Sequence, residues 1–94
     1  MRVRVRLAGT SDFPPGFQGK KEAQVDFPGT SVKDLVHHLS SGASSDLSEV
    51  FLDQNGDISA DLMIVVQGFA VTGSNRVNLR LKEGDLVELV SSPG

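Results

Sequence analysis

The sequence predicts an α+β domain in which a mixed four- or five-stranded sheet carries one main helix on one face. Three observations lead there. Val3, Val5 and Leu7 alternate with Arg2, Arg4 and Arg6, the two-residue period of a half-buried strand. Val32, Leu35, Val36 and Leu39 recur at i, i+3, i+4 and i+7, the stripe of an amphipathic helix. The order of segments is hairpin, helix, short helix, hairpin and final strand. One apolar sheet face and one apolar helix stripe then cover each other. A crossover through a helix into further strands also favours first and last strands that lie side by side and parallel.

Each element has its own signal. Ala23, Val25 and Phe27 alternate with Gln24 and Asp26, so a second strand follows the first and pairs with it as a hairpin. Between them, residues 10–19 read as a loop, with Pro14 and Pro15 lacking backbone donors and Gly16 and Gly19 permitting turns. Phe13 and Phe17 in that loop either form a recognition patch or fold back over the core. Pro28 and Gly29 stop the second strand. Thr30 or Ser31 starts the main helix over 31–41, Ser31 and Asp34 having the spacing of a near capping box, and Ser40, Ser41 and Gly42 end it. Asp46 and Glu49 have the spacing of a cap for a shorter helix that turns Leu47, Val50 and Phe51 to one side.

Leu62 to Val66 is a short branched apolar run suited to a buried central strand. Gln67 and Gly68 make a hairpin turn, and Phe69 to Val71 return. Residues 72–78 read as a loop. Leu79 and Leu81 resume alternation, Glu83 to Asp85 turn the chain, and Leu86 to Val90 are the last strand. The expected core is Val3, Val5, Val25, Val32, Leu35, Val36, Leu39, Ile64, Val66, Val87 and Leu89. Residues 1–90 should form the folded domain and residues 91–94 a flexible tail.

Composition narrows the chemistry. The 94 residues suffice for one domain. Nine basic residues against twelve acidic give a net charge of −3, and mean hydropathy is −0.09. A net-negative chain is a poor nonspecific ligand for a phosphate backbone, so no nucleic-acid partner is expected. No apolar run approaches the ~20 residues of a membrane-spanning helix, and the alternating start is unlike a signal peptide. The absence of cysteine removes disulfides, thiolate metal sites and a thiol nucleophile, and suits a cytoplasmic location. His37 and His38 are neighbours pointing about 100° apart, so they do not chelate one ion as i and i+4 ligands would. Asp53 to Asp57 superficially resemble a calcium loop, but Ile58 and Ile64 stand where its glycine and its bidentate glutamate belong, and a plain turn is expected.

Four stretches resemble the β-grasp sulfur carriers of the MoaD/ThiS family, within the ubiquitin-like fold. They are Val3 to Gly9, Phe27 to Leu35, Leu52 to Ile58 leading into Leu62 to Gly68, and Leu81 to Leu89. The resemblance implies a ubiquitin-like β-grasp domain that is not itself an enzyme. It further implies that the C-terminal carboxylate, here Gly94, is adenylated by an E1-like partner and converted to a thiocarboxylate. ATP and the sulfur donor would belong to partners, so no cofactor is expected on this chain. The acceptor would be a synthase large subunit, as in molybdopterin synthase, or another sulfur acceptor.

Two positions depart from the family pattern. Gln67 precedes the hairpin glycine where Asn is usual, and the chain has Pro93–Gly94 where Gly-Gly is usual. Pro93 fixes φ near −65° and removes an N–H. Two other readings therefore stand beside the carrier: a β-grasp interaction domain whose tail is never activated, and a modifier that joins lysines through Gly94. The expected partner-binding residues are Leu86, Glu88, Val90, Ser91, Ser92, Pro93, Arg4 and Arg6. Leu86, Glu88 and Val90 should share the sheet face with the arginines, away from the helix.

Overall fold

The computed structural model of the chain describes residues 1–9, 13–14, 16–73 and 75–91. In chain order it holds β1 (Arg2–Ala8), β2 (Glu22–Asp26), α1 (Val32–Ser41), α2 (Ser45–Phe51), β3 (Leu62–Val66), β4 (Phe69–Val71), α3 (Asn75–Asn78) and β5 (Leu86–Ser91). The strands form one mixed five-stranded sheet in the order β2-β1-β5-β3-β4. β1 is antiparallel to β2 and parallel to β5, while β3 is antiparallel to both β4 and β5. The sheet thus has the expected pairing of first and last strands at its centre.

One face of the sheet makes the core. Val3, Val5 and Leu7 of β1, Ile64 of β3 and Val87 and Leu89 of β5 are fully buried, and so are Val32, Leu35 and Val36 of α1. The capping box forms as read. Asp34 N–H donates to Ser31 Oγ at 3.1 Å, and the Asp34 carboxylate accepts from the N–H groups of Thr30 at 3.1 Å and Ser31 at 3.2 Å. Bonds to the carboxylate, from the Thr30 N–H first, then the Ser31 N–H and the Ser31 side chain, hold the Asp34 carboxyl below its ordinary pKa. Gly29 is needed at this junction because a Cβ there would press on the Asp34 side chain. Leu47 and Phe51 bring α2 into the same core, and the Ser40 and Ser48 hydroxyls, 2.6 Å apart, link α1 to α2. Phe17 is buried in this core as well, with Phe13 packed partly against it, so the loop phenylalanines fold back.

The structure corrects five expectations. The cap of α2 is Ser44, whose Oγ accepts from Leu47 N–H at 3.2 Å, and Asp46 lies inside the first turn. Residues 75–78 form a helical turn, α3, rather than loop. Leu79 to Leu81 do not join the sheet. Their backbone bonds go to the start of α1 instead, with Val32 N–H donating to Leu79 O at 3.0 Å and Leu81 N–H to Thr30 O at 2.7 Å. Val66 is only half-buried, because it ends β3 at the hairpin tip opposite Phe69 and lines an open groove. Ser91 is the last residue of β5, opposite Leu62, rather than the first residue of a tail.

Candidate partner-binding surface

Because β5 buries Val87 and Leu89, the alternate side chains Leu86, Glu88 and Val90 face the side of the sheet that carries no helix among the described residues. Leu86 stands opposite Arg4, Glu88 opposite Arg6, and Val90 opposite Ala8. On the other flank, Glu88 stands opposite Val65 and Val90 opposite Met63. Arg4, Arg6, Leu86, Glu88 and Val90 are therefore brought onto one face, as expected. Leu86, Glu88 and Val90 are half-buried by their neighbours, while Met63 is 58% exposed. The result is an apolar strip of Leu86, Val90, Met63 and Val65, with Glu88 in its middle.

The arginines do not stand free. Arg4 Nη2 lies 2.7 Å from Glu22 Oε2 and Arg6 Nη2 lies 3.1 Å from Glu22 Oε1, while Arg2 reaches Asp26 at 3.5 Å. Glu22 and Asp26 belong to β2, so the charged side chains of β1 are met by their own hairpin partner. Exposed pairs of this kind contribute only about 0–1 kcal/mol each. Glu88, by contrast, makes no ion pair among the described residues.

Loop 10–19 does not cover the strip with its described residues. Pro14, Gly16 and Phe17 lie against β2 and the C-terminal end of α1, beside Gln24, Val25, His38 and Leu39. The strip's far end is marked by Gly9, at φ +77°, where any Cβ would overlap the Ser91 carbonyl oxygen. The turn after β1 thereby seats directly on the last residue of β5. Ser91 closes that strand, and Ser92, Pro93 and Gly94 lie outside the described residues.

The other sites considered in the sequence resolve into structure. Asp53 Oδ1 accepts from the N–H groups of Asn55 at 2.8 Å and Asp57 at 3.1 Å, so its carboxylate closes a turn. The His38 ring lies tilted over Phe27, 6.4 Å between centroids. Among the described residues no three His, Asp or Glu side chains gather as a metal site. Sequence reasoning missed Met63, Val65 and Gly9. The two β3 residues sit in a continuous apolar run that carries no alternation to show which of them face out. Gly9 becomes visible only once β1 and β5 are known to be neighbours.

No family model matches the sequence, and no curated protein does. Solved structures do resemble the fold. Urm1 from Trypanosoma brucei superposes with a TM-score of 0.73 at 23% identity, over 97% of this chain and 91% of that one. SAMP1 from Haloferax volcanii gives 0.68 at 18% identity, over 98% and 96%. CysO from Mycobacterium tuberculosis gives 0.66 at 19% identity, over 96% and 98%. Likeness at this level of identity is likeness of fold, and it extends over nearly the whole length of each partner in the comparison. The chain has the ubiquitin-like β-grasp fold, the one that its resemblance to the MoaD/ThiS carriers implies.

Proposed function

We propose that the chain is a sulfur carrier, and that Gly94, where it ends the mature chain, is the acyl group it carries. The observation that supports this reading is the placement of β5. A central strand ends at Ser91, three residues before Gly94, and its outward side chains form an uncovered strip leading to that end. An E1-like enzyme would bind the strip of Leu86, Glu88 and Val90, flanked by Arg4 and Arg6, and take up residues 91–94. The Gly94 carboxylate would attack the α-phosphorus of ATP with loss of pyrophosphate. A sulfur nucleophile would then displace AMP and leave a thiocarboxylate. The carrier contributes a rigid body, a recognition face and a free carboxylate, while the nucleotide and sulfur chemistry stays with partners. A molybdopterin-synthase-like large subunit is the acceptor we favour, and the cytoplasm the setting.

Intact mass after incubation with ATP, an adenylating partner and a sulfur donor tests the proposal. The expected gain is the mass difference between sulfur and oxygen, lost on deletion of Gly94 without a change in thermal unfolding. Pro93→Gly should keep or raise the yield. If only Pro93→Gly reacts, the natural chain is an interaction domain.

The name of one structural neighbour, small archaeal modifier protein 1, favours a second reading, in which the same activated Gly94 is passed to lysine amines. A branch joining Gly94 to lysines of other proteins, found by peptide mass spectrometry, would mark that outcome.

A further inference from the structure

The β3–β4 hairpin has a second uncovered surface, on the opposite side of the sheet from the strip. Phe69 and Val71 alternate with Ala70, and Val71 is buried, so Phe69 lies on the helix side of the sheet. Yet Phe69 is 78% exposed. It stands on the rim of a groove of about 390 Å³, whose walls include Val66 and Val71 of the hairpin and Leu79, Arg80 and Lys82 of the segment after α3.

Both walls are fixed. Gln67 at φ 51° and Gly68 at φ 84° form the tight turn. Gln67 N–H donates to Leu86 O at 2.9 Å, and Leu86 N–H returns a bond to Gln67 Oε1 at 2.8 Å. The Gln where the family has Asn thus ties the hairpin tip to β5. The facing wall is held to the start of α1 by the bonds of Leu79 and Leu81. A groove made in advance loses little conformational freedom when something binds it.

Its charge differs from the rest of the chain. Arg2, Arg4 and Arg6 are ion-paired, and Arg76 Nη2 is held by the carbonyls of Ser59 at 2.7 Å and Leu62 at 2.8 Å. Arg80 and Lys82 are exposed and make no ion pair among the described residues. The one carboxylate on the groove, Asp85, accepts the Lys82 backbone N–H at 2.8 Å. In a chain of net charge −3 this groove carries two cations to one acid.

We propose that the groove docks an acidic peptide segment of a partner protein, one with an aromatic or aliphatic side chain beside Asp or Glu. The apolar side chain would pack on Phe69, Val66 and Leu79, and the acids would meet Arg80 and Lys82. Aromatic anchors ringed by complementary charge are the usual source of binding energy in small interfaces. The groove and the strip lie on opposite faces of the sheet, so both can be occupied at once. This proposal stands apart from the sulfur-carrier reading.

A random peptide library displayed on phage tests it, selected on the full chain and counter-selected on the double variant Phe69→Ala, Lys82→Glu. Enriched peptides should pair an apolar residue with at least two acids. A synthetic peptide of the leading sequence should bind the natural chain more weakly as salt rises. Its affinity should fall about tenfold or more with Phe69→Ala and again with Arg80→Glu, but not with Val90→Arg. Phe69 and Arg80 are exposed, so these variants should keep the natural unfolding curve. No enrichment over the double variant, enrichment of basic peptides, or equal binding by Phe69→Ala would overturn the proposal. So would a dimer of the free chain that Phe69→Ala dissolves, since the groove would then belong to a second copy.

Discussion

The two halves of the uncovered sheet face are built from opposite materials. On the β2–β1 half, every outward side chain from Arg2 to Arg6 is charged and finds its counterion on the neighbouring strand. On the β5–β3 half, Leu86, Val90, Met63 and Val65 surround a single carboxylate that makes no ion pair among the described residues. A charged strand satisfied by its own hairpin gains little from a partner. An apolar strip has surface to bury, at roughly 25 cal/mol per Å². The difference supports the β5–β3 half as the proposed binding surface, with Arg4 and Arg6 as its ion-paired border.

Four substitutions break or sharpen this contrast. Leu35→Ala, beneath the opposite, covered face, should cost about 2–5 kcal/mol in denaturant unfolding, since Leu35 is fully buried. Gly9→Ala should cost roughly 1–3 kcal/mol, because it places a Cβ at φ +77° against the Ser91 carbonyl. Amide hydrogen exchange should localise that loss to the joined ends of β1 and β5. Asp34→Asn should cost about 1 kcal/mol through the capping box.

The Asp34 effect has a definite pH dependence. The Asp34 carboxyl is held below its ordinary value of 3.8 in the folded chain. Its contribution is therefore fully present above that unfolded value and is lost as pH falls through the lower folded one. The stability difference between natural chain and Asp34→Asn, followed by thermal unfolding, should be constant near neutral pH and shrink in acid. The smallest effect on stability is expected from Val90→Arg, within about 0.5 kcal/mol. That variant should nonetheless abolish binding to a partner that uses the strip, as titration calorimetry would record. Loss of stability instead of binding would make the strip part of the fold.

The framework was legible in the sequence because its signals are local. Arg2 to Leu7, the capping box at Ser31 and the stripe from Val32 to Leu39 each announce their element within a few residues. Leu86, Glu88 and Val90 follow from the period of β5 once Val87 and Leu89 are taken as core. What stayed hidden depends on which distant segments meet. Leu79 and Leu81 look like strand but bond to the α1 start, some fifty residues earlier. Met63 faces out from a run whose composition has no polar side to show it. Phe69 reads as an ordinary strand residue, and it stands in solvent because no helix among the described residues lies over the hairpin tip.

The place of β5 has a consequence for how the chain comes into being. Its neighbours in the sheet are β1 and β3, so it alone joins the β1–β2 hairpin to the β3–β4 hairpin. Until residues 86–91 emerge from the ribosome, the nascent chain holds two ribbons with no seam between them. Two-stranded ribbons are at best marginally stable alone, and contacts that span most of the chain form slowly. Folding of the sheet is therefore completed only once β5 has been made. A fragment ending before Leu86 should be a substrate for proteases, and a synthetic peptide of β5 added to that fragment should restore the fold.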